Sequence, residues 1–358
     1  MHATRLLLVG GFLGAGKTTL LLRAAHELTS RGLRVGLVTN DQSHDLVDTA
    51  LAHAAAIPVE EIGGGCFCCR FPDLAAAVAR LRETVAPDVI LAEPVGSCTD
   101  LMATVVRPLQ LFQAGVVHVA PLTVLHDPQR DTRSMGELVA YLHDRQLAEA
   151  EIIGVSKIDT LEPDVQAQQL VELRRHYPAA RIVPLAARRG IGVAEWLDGC
   201  LGQVSAAQQT LAIDYAAYAA AEAALGWLNA TAELRATRPF AADGWIAGAL
   251  HALDEAFRLQ GAPVAHIKIH LETPQAALKA SLTHSGAPIS WDLLPADTRT
   301  AQAKLRLNVR VAAAPELLAQ TVRNLADATP PWIRFELINL ECFSPPPPQP
   351  THRMPANR

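Results

Sequence analysis

The chain has 358 residues, half of them apolar but only 5% aromatic, with a net charge of −5 and six cysteines. That length suits two domains with separate cores, and an Ala/Leu/Val-rich interior points to a soluble α/β or α+β architecture rather than a sandwich. Charge spread without long basic blocks excludes the footprint of a nucleic-acid binder, and six cysteines in so long a chain exclude a disulfide framework.

The first predicted element is the apolar strand "TRLLLVG", which runs into glycines and then into the helical spacing of "KTTLLLRAAHELTSRG". Glycines and Lys17 interrupt this stretch short of a membrane span and no small-residue cleavage site follows, so neither anchor, signal peptide nor membrane insertion is expected. Strands follow in "RVGLVTN" and "IPVEEIG", a helix in "FPDLAAAVARLRETV", and strands in "DVILAE", "GVVHVAPLTVLHD" and "EIIGVSK". A helix in "PDVQAQQLVELRRHY", a strand in "RIVPLAA" and a helix in "GVAEWLDGCL" complete the series. Buried strands alternating with helices predict an α/β domain with a mostly parallel sheet covered on both faces, over residues 1–202.

The small polar residues of 203–212 read as a linker. The rhythm then changes. Strands in "LGWLNATAELRA", "AHIKIHLE", "ALKASLTH", "AKLRLNVRV" and "IRFELINLECF", with helices in "ADGWIAGALHALDEAFRLQG" and "PELLAQTVRNLADA", predict a smaller α+β domain over 213–343. The pattern is ferredoxin-like with an extra strand. An Ala-rich helix near 215–225 would serve an interface as readily as a core. The Pro-rich tail, 344–358, is expected to be disordered.

The strongest chemical signal is "GGFLGAGKTT", which fits the phosphate-binding loop G-x-x-x-x-G-K-[ST] between a predicted strand and helix. Its glycines turn backbone N–H groups onto phosphate oxygens, Lys17 reaches the outer phosphates, and Thr18 holds magnesium. A nucleoside triphosphate site follows from it. "DVILAEPVG" delivers Glu93 at a strand's carboxyl end, where it would hold the magnesium shell or polarise water; a helix cap is the competing reading. Gly96 falls where a γ-phosphate sensor needs close backbone. "SKID" sets Ser156, Lys157 and Asp159 at another strand end, where a carboxylate can accept two N–H bonds from guanine, and "LAARRG" offers a backbone contact near Ala187.

The order of these segments, with the cysteine run "GGGCFCC", resembles the CobW-type, or cobalamin-synthesis-protein, family of metallochaperone GTPases, relatives of the urease and hydrogenase nickel-insertion GTPases. The resemblance covers residues 5 to about 202 and is looser beyond. It implies GTP hydrolysis, with Mg2+, coupled to delivery of a transition metal (Zn2+ or Co2+) or metal cofactor to a client metalloprotein. Carried over by position, Gly11, Gly14, Ala15, Gly16, Lys17, Thr18 and Thr19 would hold phosphates and magnesium, with Lys17 and Glu93 in the catalytic roles. Glu93 and Gly96 would sense the γ-phosphate, and Ser156, Lys157, Asp159 and Ala187 would surround the base. Cys66, Cys68 and Cys69 would bind the transported metal, with Asp41.

Three positions depart from the family pattern: the base-motif Asn is Ser156, the histidine-rich tract is absent, since His266, His270 and His284 are scattered, and "ND" replaces "NE" at 40–41. Thiolates favour zinc, copper(I) or cobalt over magnesium, and Arg70 is expected to lower their pKa. Three sulfurs leave a tetrahedral shell incomplete, which suits transfer better than storage. A redox thiol pair and plain packing remain as alternatives. Cys98 follows Glu93 closely enough to approach the same region but reads as packing, like Cys200 and Cys342; His44 and Asp45 read as solvated loop as readily as switch residues.

The leading reading is a cytoplasmic GTP-dependent metallochaperone, in which homodimerisation is one compatible state. An accessory GTPase for a cobalt-corrinoid enzyme and a P-loop small-molecule kinase or ATPase are the competitors.

Overall fold

The computed structural model describes residues 3–40, 57–208 and 211–354. Two compact units emerge: Met1–Thr132, Ala140–Tyr218 and Pro348–Arg358 form one, and Arg133–Val139 with Ala219–Pro347 form the other. The division thus falls after Tyr218 rather than within 203–212, and the end of the chain belongs to the first unit.

The first unit is built on strands β1 (Thr4–Gly11), β2 (Val35–Asn40), β3 (Val59–Ile62), β4 (Val89–Glu93), β5 (Val117–Val119), β6 (Thr123–His126), β7 (Ile152–Val155) and β8 (Arg181–Pro184). They make one parallel sheet in the order β3-β2-β4-β1-β6-β7-β8, with β5 beside the start of β1. "GVVHVAPLTVLHD" is therefore two strands. β5 pairs with Thr4–Leu6 and β6 with Val9–Gly11, and the break falls at Ala120-Pro121, where proline has no N–H for the ladder.

Its helices are α1 (Lys17–Ser30), α2 (Phe71–Thr84), α3 (Arg107–Phe112) after a π-helical turn (Met102–Val106), α4 (Glu137–Ala148), α5 (Pro163–His176), α6 (Val193–Gly202) and α7 (Tyr215–Ala223). α1 is helical because Leu20, Leu21, Ala24, Ala25 and Leu28 recur on one stripe, and they pack with Trp196 and Leu197 of α6 onto Leu7, Val9, Leu37 and Leu91. α2 covers the other face, where Gly36 leaves room for Leu81; a Cβ there would come within 3.2 Å of the leucine. Truncating a buried leucine of this kind costs about 3 kcal/mol.

α3, its π-helical turn and α4 lie outside the predicted elements. In α4 the buried stripe is Val139, Leu142, His143, Gln146 and Leu147, followed by Glu149, so half of what faces inward is polar and the apolar period is lost. The spacing is helical all the same.

The second unit holds β9 (Gly226–Ala241), β10 (Val264–Glu272), β11 (Ala277–Leu282), β12 (Ser290–Leu293), β13 (Arg299–Val311) and β14 (Ile333–Phe343), with α8 (Ala242–Leu259), α9 (Pro315–Arg323) and α10 (Leu325–Ala328). The sheet order is β12-β11-β10-β13-β9-β14, antiparallel throughout. The four strands β10-β13-β9-β14, with α8 and α9 as crossovers, reproduce the ferredoxin-like order, and the β11–β12 hairpin extends one edge. β12 lies outside the predicted strands, because "SWDL" is a short, half-exposed edge strand with one apolar-polar alternation. Ile246, Leu250, Leu253 and Phe257 of α8 and Leu318 and Val322 of α9 pack with Ile267, Ile269, Leu305 and Leu307 of the sheet.

Glu149 is fully buried and accepts from Thr99 Oγ1 at 3.2 Å and from the Met102 N–H at 3.0 Å. Burial pushes its carboxyl from 4.5 up to about 8. The folded state therefore keeps a proton that the unfolded chain sheds, and this group makes stability fall as pH rises from 4.5 towards 8. In thermal unfolding between about pH 5 and 8, Glu149→Gln is expected to flatten the curve relative to wild type by a few kcal/mol, since each tenfold change in proton affinity is worth ~1.4 kcal/mol.

Candidate nucleotide and metal site

Neighbouring strands β3, β2, β4 and β1 end on one edge of the sheet, and each opens into a segment with chemistry. β1 delivers the phosphate loop. Gly11, Gly14 and Gly16 take φ of 131°, 78° and 93°, where a side chain is strained, so glycine lets the loop turn its N–H groups to one side. A Cβ at Gly11 would also sit 2.7 Å from the Leu125 carbonyl oxygen. Ala15 N–H closes the loop on Phe12 O at 3.1 Å, and the first turn of α1 carries no carboxylate to repel an anion. Thr19, partly buried, follows in that turn.

Lys17 Nζ donates to Gly11 O at 2.9 Å and to Phe12 O at 3.5 Å and lies 4.0 Å from Glu93 Oε1. Thr18 Oγ1 donates to the same Glu93 oxygen at 3.1 Å. All three residues are buried. A hydroxyl and a carboxylate set side by side are hard oxygen donors, the set magnesium takes, so Thr18 and Glu93 fit the role expected of them. Gly96 lies against the phosphate loop: a Cβ there would be 3.1 Å from the Leu13 nitrogen.

Two residues that no motif flagged shape this corner. Arg130 Nη2 donates to Leu13 O at 2.8 Å, and although burial lowers its pKa to about 10, it stays cationic beside the loop. Gln146 Nε2 donates to both Gly96 O, at 3.0 Å, and Cys98 O, at 2.8 Å. Neither carries a local sequence signal, since each acts through backbone distant in sequence.

The base-side residues gather at the ends of β7 and β8. Ser156 Oγ donates to His126 O at 3.1 Å, so its hydroxyl ties two strand ends together instead of facing outward. Lys157, at φ 53°, donates to Asp127 Oδ2 at 2.6 Å. Asp159 is exposed at the rim, and Ala187 opens the 3-10 turn after β8, the two segments being linked by Ile158 N–H on Leu185 O at 3.1 Å.

β3 opens into the cysteine run. Gly64 and Gly65 take φ of 75° and 148°, and Cys69 and Arg70 N–H groups both return to Cys66 O, at 3.0 and 2.9 Å, forming the turn that leads into α2. The sulfurs converge: Cys66 Sγ lies 2.8 Å from Cys68 Sγ and 3.3 Å from Cys69 Sγ, and the latter two are 3.8 Å apart. They are free thiols and the cluster of potential metal ligands found among the described residues. A tetrahedral ion with ~2.3 Å bonds spaces its sulfurs ~3.8 Å apart, so a metal has to open the Cys66–Cys68 contact by about 1 Å and leave Cys68–Cys69 as it stands. Asp41, His44 and Asp45 lie outside the described residues. Asn40, at the end of β2, anchors the run instead: Nδ2 donates to Ile62 O at 2.8 Å and Gly65 O at 2.7 Å, and Oδ1 accepts from Phe67 N–H at 2.9 Å. A polar residue closing a buried strand at the carboxyl edge is the signal that could have found it.

Side-chain contacts with Cys68, Cys69 and Cys98 hold the pKa of Cys66 well below the ordinary thiol value. The same contacts raise Cys68, and the contact with Cys66, with burial, pushes Cys69 up to about 11. Arg70 has no part in this, contrary to expectation: its guanidinium turns to Asp73. Neighbouring S–H groups can favour the charged form of a thiol in this way without a cation.

The tail also departs from expectation. Up to Met354 it is hydrogen-bonded to the cysteine turn and its surroundings: Gln349 N–H donates to Cys69 Sγ at 3.2 Å, Thr351 N–H to Cys68 O at 2.9 Å, and Thr351 Oγ1 to Cys69 O at 3.0 Å. Arg353 Nε pairs with the buried Asp100 carboxylate at 2.7 Å, and His352 packs on Phe71 and Phe112. Prolines disfavour a regular element, but the non-proline residues among them have donors, and these find carbonyls.

A parallel sheet whose first strand ends in this loop defines a P-loop nucleotide-binding domain. The model of the CobW/HypB/UreG nucleotide-binding domain matches residues 5–184, half of the chain, and the chain belongs to that family. It is 29% identical over 216 residues, 51% of its length and 56% of the relative's, to the zinc chaperone CobW of Pseudomonas aeruginosa. It is 30% identical over 170 residues, 45% of its length and 48% of the relative's, to the zinc chaperone YeiR of Escherichia coli. The chain thus spans about half the length of the curated relatives it matches. Among solved structures it is similar to HypB from Helicobacter pylori in complex with nickel (TM-score 0.42, 17% identity, 57% of this chain and 91% of that one). It is also similar to the Zn(II)-bound YjiA GTPase from E. coli (TM-score 0.38, 13% identity, 91% of this chain and 99% of that one). No helix among the described residues is long and apolar enough to cross a membrane.

Loss of the Asn40 clamp frees the cysteine turn while leaving the sulfurs in place. Asn40→Ala is expected to weaken zinc or cobalt binding about 10- to 100-fold, the usual cost of losing an orienting partner, with nucleotide affinity retained. Competition against a chromophoric chelator measures it.

Proposed function

We propose that the chain is a GTP-dependent metallochaperone: it binds GTP and a thiophilic metal ion at neighbouring sites, and GTP hydrolysis changes its hold on the metal so that the ion passes to a client metalloprotein. The observation that carries the reading is the convergence of three cysteine sulfurs at the end of β3, on the same sheet edge as the phosphate loop at the end of β1. The zinc chaperones among the relatives support zinc as the first metal to test, with cobalt as its spectroscopic substitute.

GTP phosphates are held by the N–H groups of residues 11–19, by the N-terminus of α1 and by Lys17, which leaves its own loop carbonyls for phosphate oxygen. Thr18 and Glu93 would hold magnesium, which supplies charge neutralisation on the phosphates when bound. Glu93 would give up its contact with Thr18 to help hold that ion or to orient the attacking water, and Gly96 would bring an N–H to the γ-phosphate. Arg130 adds a fixed positive charge behind Leu13. With Ser156 engaged on His126, discrimination of guanine rests on the exposed Asp159 and the backbone at Ala187. The thiols that hold the cargo would lose their protons as it binds, Cys66 most readily. Such a site works in a reducing, cytoplasmic setting.

Zinc or cobalt affinity is expected to differ at least tenfold between the protein loaded with a non-hydrolysable GTP analogue and the protein loaded with GDP, corresponding to about 1.4 kcal/mol of coupling. Equal affinities would remove the coupling. Lys17→Ala is expected to lower hydrolysis by about 100-fold or more with the cysteine site intact. GTP is expected to displace ATP, and Asp159→Ala to abolish that preference; a preference for ATP favours the kinase reading, and co-purification of a corrinoid enzyme the accessory one.

A further inference from the structure

Residues 348–354 lie along the cysteine turn, although 280 positions separate Gln349 from Cys69. Their contacts fall into two groups. Gln349 N–H donates to Cys69 Sγ at 3.2 Å, Thr351 N–H to Cys68 O at 2.9 Å and Thr351 Oγ1 to Cys69 O at 3.0 Å, so every bond of the first group reaches the two cysteines that end the run. In the second, Arg353 Nε pairs with the Asp100 carboxylate at 2.7 Å, Arg353 Nη2 donates to Leu211 O at 2.9 Å, and Met354 N–H donates to Ala103 O at 2.8 Å. This second group touches no sulfur and seats the segment whatever the state of the thiols. Asp100 is 2% exposed and loses its cation if the segment lifts, which favours the seated state. Prolines at 345–348 and 350 fix φ and reduce the entropy lost when the segment is laid down. Gln349, Thr351 and Arg353 are nonetheless exposed, so solvent reaches the outer side of the segment.

We propose that residues 348–354 are a strap that works as part of the metal site: seated, it orients Cys69 and covers the cysteine turn from outside, and the ion is handed on only after the strap lifts. The strap's role toward the ion rests on the metallochaperone reading; its hold on the turn does not. Asn40 and the strap divide the turn between them. Asn40 takes Gly65 O and Phe67 N–H from the end of β2, and the strap takes Cys68 O, Cys69 O and Cys69 Sγ. Cys68 and Cys69 are the pair whose sulfurs, 3.8 Å apart, already stand at the spacing a tetrahedral ion needs, and two consecutive carbonyls held by one threonine keep them there. An N–H on a metal-bound thiolate orients it and offsets part of its charge. The strap offers that N–H to Cys69, which is less buried than Cys66 and Cys68. Asn40 is fixed in the sheet, whereas the strap has solvent on one side, so it is the half of the clamp that can be withdrawn. By linkage the ion and the strap strengthen one another: a bound ion holds the strap down, and a lifted strap loosens the ion.

The test compares three reduced proteins: wild type, a chain ending at Pro347, and full-length Thr351→Pro, which lacks the N–H and the hydroxyl but keeps the Arg353 anchor. Zinc loss to excess chelator is expected to be about tenfold or more faster from the shortened chain than from wild type, with Thr351→Pro in between and binding of a GTP analogue retained in both. In metal-free protein, alkylation of Cys69, read by mass spectrometry, is expected to speed up about tenfold on shortening. Hydrogen exchange over 349–354 of wild type is expected to slow when zinc is loaded. Zinc loss at the wild-type rate from both variants overturns the strap's part in the metal site and leaves the metallochaperone reading standing. Failure of wild type to bind zinc sinks that reading and the strap's role toward the ion with it, and unchanged Cys69 alkylation in the shortened chain sinks the covering role. Exchange unaltered by zinc overturns the coupling of strap and ion, and this wild-type measurement decides even should both variants fold poorly.

Discussion

One buried contact organises this site: the Thr18 hydroxyl on the Glu93 carboxylate. It joins the first turn of α1 to the end of β4, and Lys17 stands 4.0 Å from the same oxygen. The cation and the hydroxyl that a nucleotide needs are satisfied here by the protein's own carbonyls and carboxylate, so binding is an exchange of partners and not a filling of free valences. That exchange limits affinity, because the internal bonds must be given up. It also links the nucleotide loop to the segment after β4, because Glu93 and Gly96 both lie on that segment.

The segment is stiff. Gln146 holds the carbonyls of Gly96 and Cys98, Glu149 the start of the π-helical turn, and Tyr218 the Thr99 N–H. A loop pinned at so many points does not absorb a displacement locally but passes it on. Allosteric coupling requires such an element, with discrete arrangements that two ligands bias differently. On the other side of the sulfurs the cysteine turn is held as firmly, by the three bonds of Asn40 from β2 and by Gln349 and Thr351 of the tail. The tail also ties the two together, since Thr351 bonds the cysteine turn and Arg353 pairs with Asp100 in the segment after β4.

What could be read in advance follows the range over which each signal acts. The phosphate loop was legible because glycine conformation, helix N-terminus and lysine are all local, and the φ angles at Gly11, Gly14 and Gly16 are those its spacing demands. Glu93 and Cys66, Cys68 and Cys69 were legible because parallel strands place their carboxyl ends together. Gln146, Arg130 and Asn40 act on backbone far along the chain, and α4 hides behind the very residues that make it useful, since His143, Gln146 and Glu149 replace the apolar stripe that marks a helix. Composition misled in two places. Prolines read as disorder, yet Thr351 and Arg353 supply the donors that hold the tail, and Arg70, adjacent to the thiols in sequence, prefers Asp73.

The charge balance of the sulfurs explains why the metal sets the order of events. With Arg70 turned to Asp73, it is the contacts among the sulfurs themselves that lower the pKa of Cys66 and raise those of Cys68 and Cys69. A divalent ion reverses this by expelling protons from each ligand in turn, and each added thiolate is worth less than the last because the total charge passes through zero at two sulfurs. A third thiolate is then held by geometry more than by electrostatics. A small movement of the cysteine turn would act on a bond whose electrostatic worth is already low, because three sulfurs outnumber the charge they neutralise.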